Sequence, residues 1–297
     1  MLSRRQFLAL SAAAAYAVTA DRVLAFEDAV GNLLDLPVPP RRIIAINPAM
    51  VETVMAIGVG ERLVAIGGKV QYPPEALKLP SVGGALGVSA EAIVAHNPDL
   101  VVMAVGTEAA AQLTRPLKEL GIPVFLATYS DFPSILNYMR LLGEALHLRE
   151  DAERVVAHMQ AAIAGLAERL KDRPRRNVYL ETGAAGSAAF QTVRIGHYAD
   201  DAIRLAGGSN IFAIKGAPQV SLEGIAAGDP DVIVVLASSP SVTLASVAAR
   251  PGWNALRAVR EGNVAVIPRG FMLIPGPRQA EAITILARAI HPEAFAP

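Results

Sequence analysis

The chain carries one pattern twice: VSAEAIVAHNPDLVVM at residues 88–103 and VSLEGIAAGDPDVIVV at residues 220–235. The two segments are identical at 8 of 16 positions. Each has a Ser at the N-cap position of a short apolar helix, a Glu two residues later, then a Pro-Asp turn and an apolar strand. One acid in a first helical turn is ordinary, because it is favoured there by about 0.3–1 kcal/mol. Its repetition indicates two similar halves, each presenting one exposed carboxylate, Glu91 or Glu223.

Around each copy, apolar strands alternate with short helices. In the first half, near-continuous apolar runs at 42–46, 63–66, 100–103 and 123–126 predict strands of a parallel sheet that is covered on both faces. The second half repeats this plan, with apolar runs at 178–180, 232–236 and 264–267. The pattern predicts an α/β fold of two lobes, each with a mainly parallel central sheet.

Between the halves lies the most regular helical pattern of the chain. From Glu150 to Arg173, apolar residues recur every three or four positions, acids open the segment and bases close it. Pro174 then ends the pattern. We expect one linking helix at 149–174, between an N-terminal lobe at 26–148 and a C-terminal lobe at 175–297. A single helix of about 34 Å would act as a strut that permits only small movements of the lobes.

The composition narrows the range of functions. Apolar residues make up 53 % and charged residues 18 %, so the chain can bury a large core. The formal net charge is zero and no basic block occurs, which disfavours nucleic acid as a partner. Cysteine is absent, which excludes disulfides, thiolate metal ligands and a lipid anchor attached to cysteine.

The first 25 residues predict an export signal. Arg4 and Arg5 stand in SRRQFL, followed by a mild apolar run and a small-residue end at Ala25, which is typical of twin-arginine signal peptides. The apolar run is too short and too rich in alanine to favour a membrane span. Cleavage after Ala25 would remove three Arg and one Asp from 27 basic and 27 acidic residues, leaving a net charge of −2. We therefore expect a periplasmic protein without a lipid anchor.

Several short fragments, in this order, resemble the periplasmic substrate-binding proteins of ABC importers for iron complexes, haem and cobalamin. The fragments are PRRIIAINP at 40–48, YPPEA at 72–76, LPSVGG at 79–84, AGGSNIF at 206–212, RPGW at 250–253 and PGPR at 275–278. The resemblance covers nearly all of the chain after residue 25. It implies two α/β lobes bridged by one long helix, with Glu91 and Glu223 docking onto arginines of the two permease subunits. The repeat would then exist because each lobe contacts one half of a dimeric transporter.

A two-lobe fold predicts a ligand site in the cleft between the lobes. We expect its residues in loops at the ends of strands. They are Asn47, Lys69, Gln71, Tyr72 and Gly84 from the first lobe, and Phe190, Gln191, Arg194, His197, Tyr198, Arg269 and Phe271 from the second. The cationic members of this set are expected to pair with carboxylates or with an anionic chelate.

Three members of the set have more than one interpretation. Tyr72 resembles the tyrosine that ligates haem iron in some relatives, and it either ligates iron or packs over the following proline. His197 precedes a helix, and it caps that helix, contacts the ligand or binds a metal. Phe271 begins an apolar loop, which either lines the cleft, as would suit a porphyrin or an aryl siderophore, or ends a core strand.

The sequence predicts binding without catalysis and without a cofactor. P-loop, GxSxG and HExxH motifs are absent, and GVG at 58–60 lacks the third glycine of a dinucleotide site. The predicted function is delivery of a ferric siderophore or haem by a monomeric binding protein to an ABC importer, with Tyr72 as a metal ligand only for haem. The alternatives are a cobalamin-binding protein of the same family, a ligand sensor and, less favoured, a chelatase-like enzyme of related architecture.

Overall fold

Strands and helices alternate along most of the chain. The computed structural model describes residues 23–68, 70–83, 87–104, 114–185, 189–212 and 218–296. The strands are β1 (Val23–Glu27), β2 (Leu33–Pro37), β3 (Ile43–Ala45), β4 (Leu63–Ile66), β5 (Leu100–Ala104), β6 (Val124–Ala127), β7 (Arg176–Glu181), β8 (Gly183–Ala185), β9 (Ala189–Gln191), β10 (Gly208–Asn210), β11 (Gln219–Val220), β12 (Val232–Ala237) and β13 (Val264–Pro268). The helices are α1 (Pro48–Ala56), α2 (Ala90–Val94), α3 (Phe132–Ala145), α4 (Arg149–Leu170), α5 (Tyr198–Leu205), α6 (Leu222–Gly228), α7 (Leu244–Ala248), α8 (Arg257–Arg260), α9 (Arg269–Met272) and α10 (Gln279–Ile290).

Two four-stranded parallel sheets form the framework. The first has the order β4-β3-β5-β6 and the second the order β10-β7-β12-β13. In both sheets, the strand that comes first in the chain, β3 or β7, lies second in the order, and the strand of the repeated motif, β5 or β12, lies beside it. The sequence repeat is therefore a repeat of topology, and the prediction of two α/β lobes with mainly parallel sheets is confirmed.

Both faces of each sheet are covered. In β5, Leu100 and Val102 face an apolar core shared by the two lobes, whereas Val101 faces a separate cluster on the other side of the first sheet. The residues of β12 alternate in the same way between the shared core and a third cluster. Since successive side chains of a strand point to opposite faces, this arrangement explains why the strand sequences are apolar throughout.

Helix α4 links the two halves. Its 22 residues correspond to about 33 Å. It ends at Leu170 rather than at Arg173, because residues 171–173 form a turn ahead of Pro174. The buried stripe of α4 packs against α3 and α10, so the linking helix is part of the shared core.

An antiparallel hairpin of β1 and β2 precedes the first sheet. The carboxylate of Asp28 closes its turn by accepting the N–H groups of Val30 and Asn32, and it also accepts the N–H of Leu126 in β6 at 3.0 Å. These bonds fix the hairpin to the first sheet. The predicted cleavage point after Ala25 falls within β1, and the cleavage site stays a prediction.

Candidate functional site

The repeated motif forms the same local structure in both lobes. Helices α2 and α6 each follow a serine whose hydroxyl oxygen accepts the backbone N–H three residues later. Ser89 accepts from Ala92 and Ser221 from Gly224, each at 3.2 Å. These are N-caps, which satisfy one of the free N–H groups at the start of a helix.

Glu91 and Glu223 occupy the same position in these helices, and both are exposed. The Ser89 hydroxyl donates to the Glu91 carboxylate, and this bond, followed by the backbone N–H of Glu91, lowers the pKa of Glu91. The pKa of Glu223 is lowered first by its own backbone N–H and then by Ser221. The carboxylate of the repeated motif is therefore ionised and exposed to solvent at neutral pH in both lobes.

The Pro-Asp end of the motif ties each helix to its sheet. Asn97 and Asp229 adopt the left-handed conformation, with φ of 45° and 36°, which Asn and Asp tolerate better than most residues. Asp99 then accepts the N–H groups just before β3, at 2.7 and 2.9 Å. Asp231 likewise accepts the N–H of Asn177 in β7 at 2.8 Å. The two aspartates thus have one structural role, which is to join neighbouring strands at their amino ends.

Tyr72 is the exposed phenol where the lobes meet. It follows β4, and its side chain is 43 % exposed. The other tyrosines of the described residues are buried or half-buried, and burial raises the pKa of Tyr129, Tyr138, Tyr179 and Tyr198. Within the described part of the chain, Tyr72 is therefore the tyrosine that an incoming ligand can most readily reach.

Residues of the second lobe approach Tyr72 directly. The guanidinium of Arg278 lies 4.0 Å from the centroid of the Tyr72 ring and 5.1 Å from that of Phe271. Gln71 of the first lobe also lies next to Gly270 of the second lobe. A Cβ atom built on Gly270 would be 3.4 Å from the side-chain oxygen of Gln71. The structure thus brings together Gln71, Tyr72 and Phe271 from the predicted set.

A buried carboxylate holds Arg278 in place. Nε of Arg278 donates to Glu52 at 2.9 Å and Nη2 at 2.6 Å, and this bidentate contact raises the pKa of Arg278. Glu52 is only 3 % exposed and lies in α1 of the first lobe. Neither residue is in the predicted set. The sequence feature that could have indicated this pair is Glu52 itself, the single acid within the apolar segment PAMVETVMA. A carboxylate that is buried with such a segment needs a partner.

His197 caps α5. The backbone N–H of Ala199 donates to Nδ1 of His197 at 3.1 Å, and the imidazole lies 4.3 Å from the Tyr198 ring. Burial and, after it, the positive charge of Arg194 lower the pKa of His197, whereas Asp200 opposes them. Of the three roles predicted for His197, capping is the one observed. It uses Nδ1 and leaves Nε2 for another contact.

Arg194 and Arg269 lie close to His197 and Tyr198. Both are exposed, the charge of Arg194 acts on His197, and that of Arg269 acts on Tyr198. Within the described ranges, neither arginine has a carboxylate at salt-bridge distance. Two cationic groups are therefore available on the second-lobe side of the site.

The remaining predicted residues differ in their surroundings. The Asn47 side-chain oxygen accepts the N–H of the last residue of β5 at 2.6 Å, so this amide has a structural contact. Phe190 is buried against the only tryptophan of the chain, with ring centroids 5.3 Å apart, while Gln191 is half-buried. Lys69 and Gly84 lie outside the described residues.

Membrane spans and metal clusters are both absent from the part of the chain that the structure describes. No helix in these ranges is both long enough and apolar enough to cross a membrane. The same residues contain no group of three or more His, Asp or Glu side chains placed to hold a metal ion.

Comparison with known proteins identifies the family. The profile of the family described as "Periplasmic binding protein" matches residues 43–269, which is most of the chain. The protein therefore belongs to the periplasmic binding protein family. Its fold and its relatives define it as an extracytoplasmic substrate-binding protein of the ABC-importer type.

Three similar proteins show the range of this group. A substrate-binding lipoprotein of an ABC transporter from Bacillus subtilis is 25 % identical over 91 % of this chain and 86 % of its own. A vitamin B12-binding protein from Yersinia pestis is 30 % identical over 71 % of this chain and 75 % of its own. The haem-binding protein RhuT from Roseiflexus sp. RS-1, solved in apo form, is 26 % identical, with a TM-score of 0.73, over 86 % of this chain and 99 % of its own.

Proposed function

We propose that the protein captures an iron complex in its cleft, with haem as the first candidate and a ferric siderophore as the second. The observation that carries this proposal is the exposed phenol of Tyr72 at the meeting point of the lobes. A tyrosinate oxygen is a hard donor that suits Fe(III), and tyrosine is a known axial ligand of haem iron. For haem, Tyr72 would bind the iron; for a siderophore, the chelate would keep its own donors.

The charges near the cleft support an anionic cargo. Arg194 and Arg269 are exposed and have no carboxylate partner within the described ranges. A guanidinium binds a carboxylate through two parallel hydrogen bonds, so these side chains suit the propionates of haem or an anionic chelate. The neutral amides around a corrin ring would make less use of them.

Binding of vitamin B12 is the alternative function. The observation in its favour is the name of several relatives, including the Yersinia protein at 30 % identity. Against it, the only tryptophan, Trp253, is fully buried and offers no aromatic wall to a corrinoid. Haem and vitamin B12 can therefore be distinguished by a direct binding measurement.

We further propose that Glu91 and Glu223 dock the loaded protein onto the two subunits of a dimeric permease. Both carboxylates are ionised, exposed and at equivalent positions of the two lobes. A pair of like charges in pseudo-twofold arrangement suits a partner with twofold symmetry. The protein would reach the periplasm through its twin-arginine signal and act as a monomer, binding and releasing the cargo without changing it.

An absorbance titration with haem tests this function. We expect the protein comprising residues 26–297 to give a saturable Soret shift at micromolar haem, and Tyr72→Phe to lose that spectrum because the iron loses its phenolate ligand. Tyr179→Phe is the matched control, since Tyr179 is fully buried in an apolar cluster of the second lobe and its hydroxyl is not open to a ligand. An unchanged spectrum in Tyr72→Phe would exclude Tyr72 as the ligand, and no shift in the unsubstituted protein would exclude haem.

A further inference from the structure

The contact between Arg278 and Tyr72 joins the two lobes at the proposed ligand. Arg278 belongs to the second lobe, just before α10, whereas Tyr72 and Glu52 belong to the first. The guanidinium covers the Tyr72 ring at 4.0 Å and also lies 5.1 Å from the Phe271 ring. A cation at such distances from an aromatic face is attracted by the ring quadrupole, and a planar guanidinium can also stack on it.

Glu52 fixes the orientation of this guanidinium. Both carboxylate oxygens of Glu52 are engaged, by Nε and by Nη2 of Arg278, so the plane of the guanidinium cannot turn without breaking a bond. The Glu52 side chain is 2 % exposed and that of Arg278 is 22 % exposed. Loss of either bond would leave a charge poorly solvated, which favours the paired geometry.

Tyr72 lies at the surface, where the residue is 43 % exposed. The guanidinium of Arg278, 4.0 Å from the ring centroid, is the contact that can hold this ring in one plane.

We propose that Arg278 is a positioning residue for the ligand: held by Glu52, it fixes the ring plane of Tyr72, so that the phenolate oxygen meets the iron in a single orientation. This inference rests on the proposed function, because it concerns how Tyr72 presents its oxygen to a ferric centre. It assigns a role to Glu52 through Arg278, as an outer residue that orients a metal ligand. The pair does not touch the iron.

Arg278→Lys tests this role. Lysine keeps the positive charge but lacks both the planar face and the bidentate fork. We expect the variant to bind haem about tenfold to a hundredfold more weakly, as is typical when a residue supporting a metal ligand is replaced. We also expect its ferric haem to show more than one species in the charge-transfer region and in electron paramagnetic resonance, because the ring is no longer held in one plane.

The matched control is Arg288→Lys in α10, where the guanidinium lies 5.2 Å from the Phe295 ring. This variant should keep the affinity and the spectrum of the unsubstituted protein. If Arg278→Lys does not fold, Glu52→Gln gives the same test, because it keeps Arg278 but weakens its anchor, and the heterogeneous spectrum is again expected.

The outcomes separate the two proposals. If Arg278→Lys, or Glu52→Gln in its place, binds haem with the affinity and the single spectrum of the unsubstituted protein, Arg278 does not position Tyr72 and the inference is overturned. A variant that is only less stable to heat, with unchanged affinity and spectra, overturns it as well. If the unsubstituted protein itself shows no haem spectrum, haem is excluded as the cargo, and the inference about Arg278 falls with it, whatever the variants do.

Discussion

At the scale of single residues, His197 illustrates how surroundings set a protonation state. Its Nδ1 accepts a backbone N–H, and the ring is half-buried beside Tyr198. Burial disfavours a charge on this ring, and the positive charge of Arg194 acts in the same direction. These effects agree with the lowered pKa of His197.

This protonation state predicts a pH dependence of stability. The unfolded chain takes up a proton at His197 near the ordinary pKa of 6.5, whereas the folded protein does so only at lower pH. The contribution to the free energy of unfolding is therefore complete above about pH 6.5 and falls as the pH decreases through the folded pKa. His197→Asn keeps a cap acceptor and cannot titrate, so urea unfolding at pH 7.5 and 5.5 should show a smaller loss in this variant.

His158→Asn serves as the control for the substitution itself, because His158 is exposed on α4. If His197→Asn loses as much stability on acidification as the unsubstituted protein, the lowered pKa of His197 does not contribute to the pH dependence of stability.

The residues of the site could be predicted only in part. Tyr72, Phe271 and Gln71 are detectable because they follow strand ends, and Tyr72 also begins the fragment YPPEA. Arg278 and Glu52 are separated by 226 positions, and no local pattern connects them. Their pairing depends on how the lobes are placed, which hydrophobic periodicity does not encode.

At the scale of elements, the repeat accounts for two matching helix starts. α2 and α6 share the serine cap, the exposed glutamate and the aspartate that ties the following strand to its neighbour. Such elements are readable from sequence because caps and turns use few residue types. The small antiparallel sheet of β8, β9 and β11 is not predictable in this way, since strands of two or three residues are too short to show an alternating pattern.

The shared glutamates predict a transport defect without a binding defect. Glu91→Ala combined with Glu223→Ala should weaken docking to the permease about tenfold or more, because two complementary charge pairs are lost from the interface. Uptake of the cargo should fall accordingly, while the affinity of the isolated protein for the cargo stays the same. Initial uptake rates in cells carrying the matching permease measure the first effect, and titration of the purified protein measures the second.

The control for docking removes one exposed acid from each half outside the motif, Glu119→Ala with Glu261→Ala. It has the same change of net charge and should transport normally. Normal uptake by the variant lacking Glu91 and Glu223 would show that these carboxylates do not dock the protein.

At the scale of the whole molecule, the lobes are joined by more than the linking helix. One apolar core continues from the first sheet through α4 and α10 to the second sheet. Across it, Tyr138 donates to the carbonyl of Pro275 at 2.7 Å, and Asp201 accepts the N–H of Phe132 at 2.9 Å. With the Glu52–Arg278 pair, these bonds resist separation of the lobes. The sequence predicts the linking helix, but it does not predict the core that the two lobes share or the bonds across it.

These contacts between the lobes predict that the lobes close only slightly when the cargo binds. A wide hinge motion would have to expose the shared core and break the buried Glu52–Arg278 pair. Small-angle X-ray scattering of the protein with and without saturating ligand should therefore give the same radius of gyration within error. A clear decrease on ligand addition would contradict the view of the linked lobes as a nearly rigid frame.

The central claim is that the cleft is built for an anionic iron complex presented to Tyr72. The most direct test is a side-by-side equilibrium titration of residues 26–297 with haem and with cyanocobalamin, followed by competition between them. We predict saturable haem binding at micromolar concentration that excess cyanocobalamin does not displace. Tighter binding of cyanocobalamin, unaffected by Tyr72→Phe, would contradict the account and make the protein a corrinoid carrier.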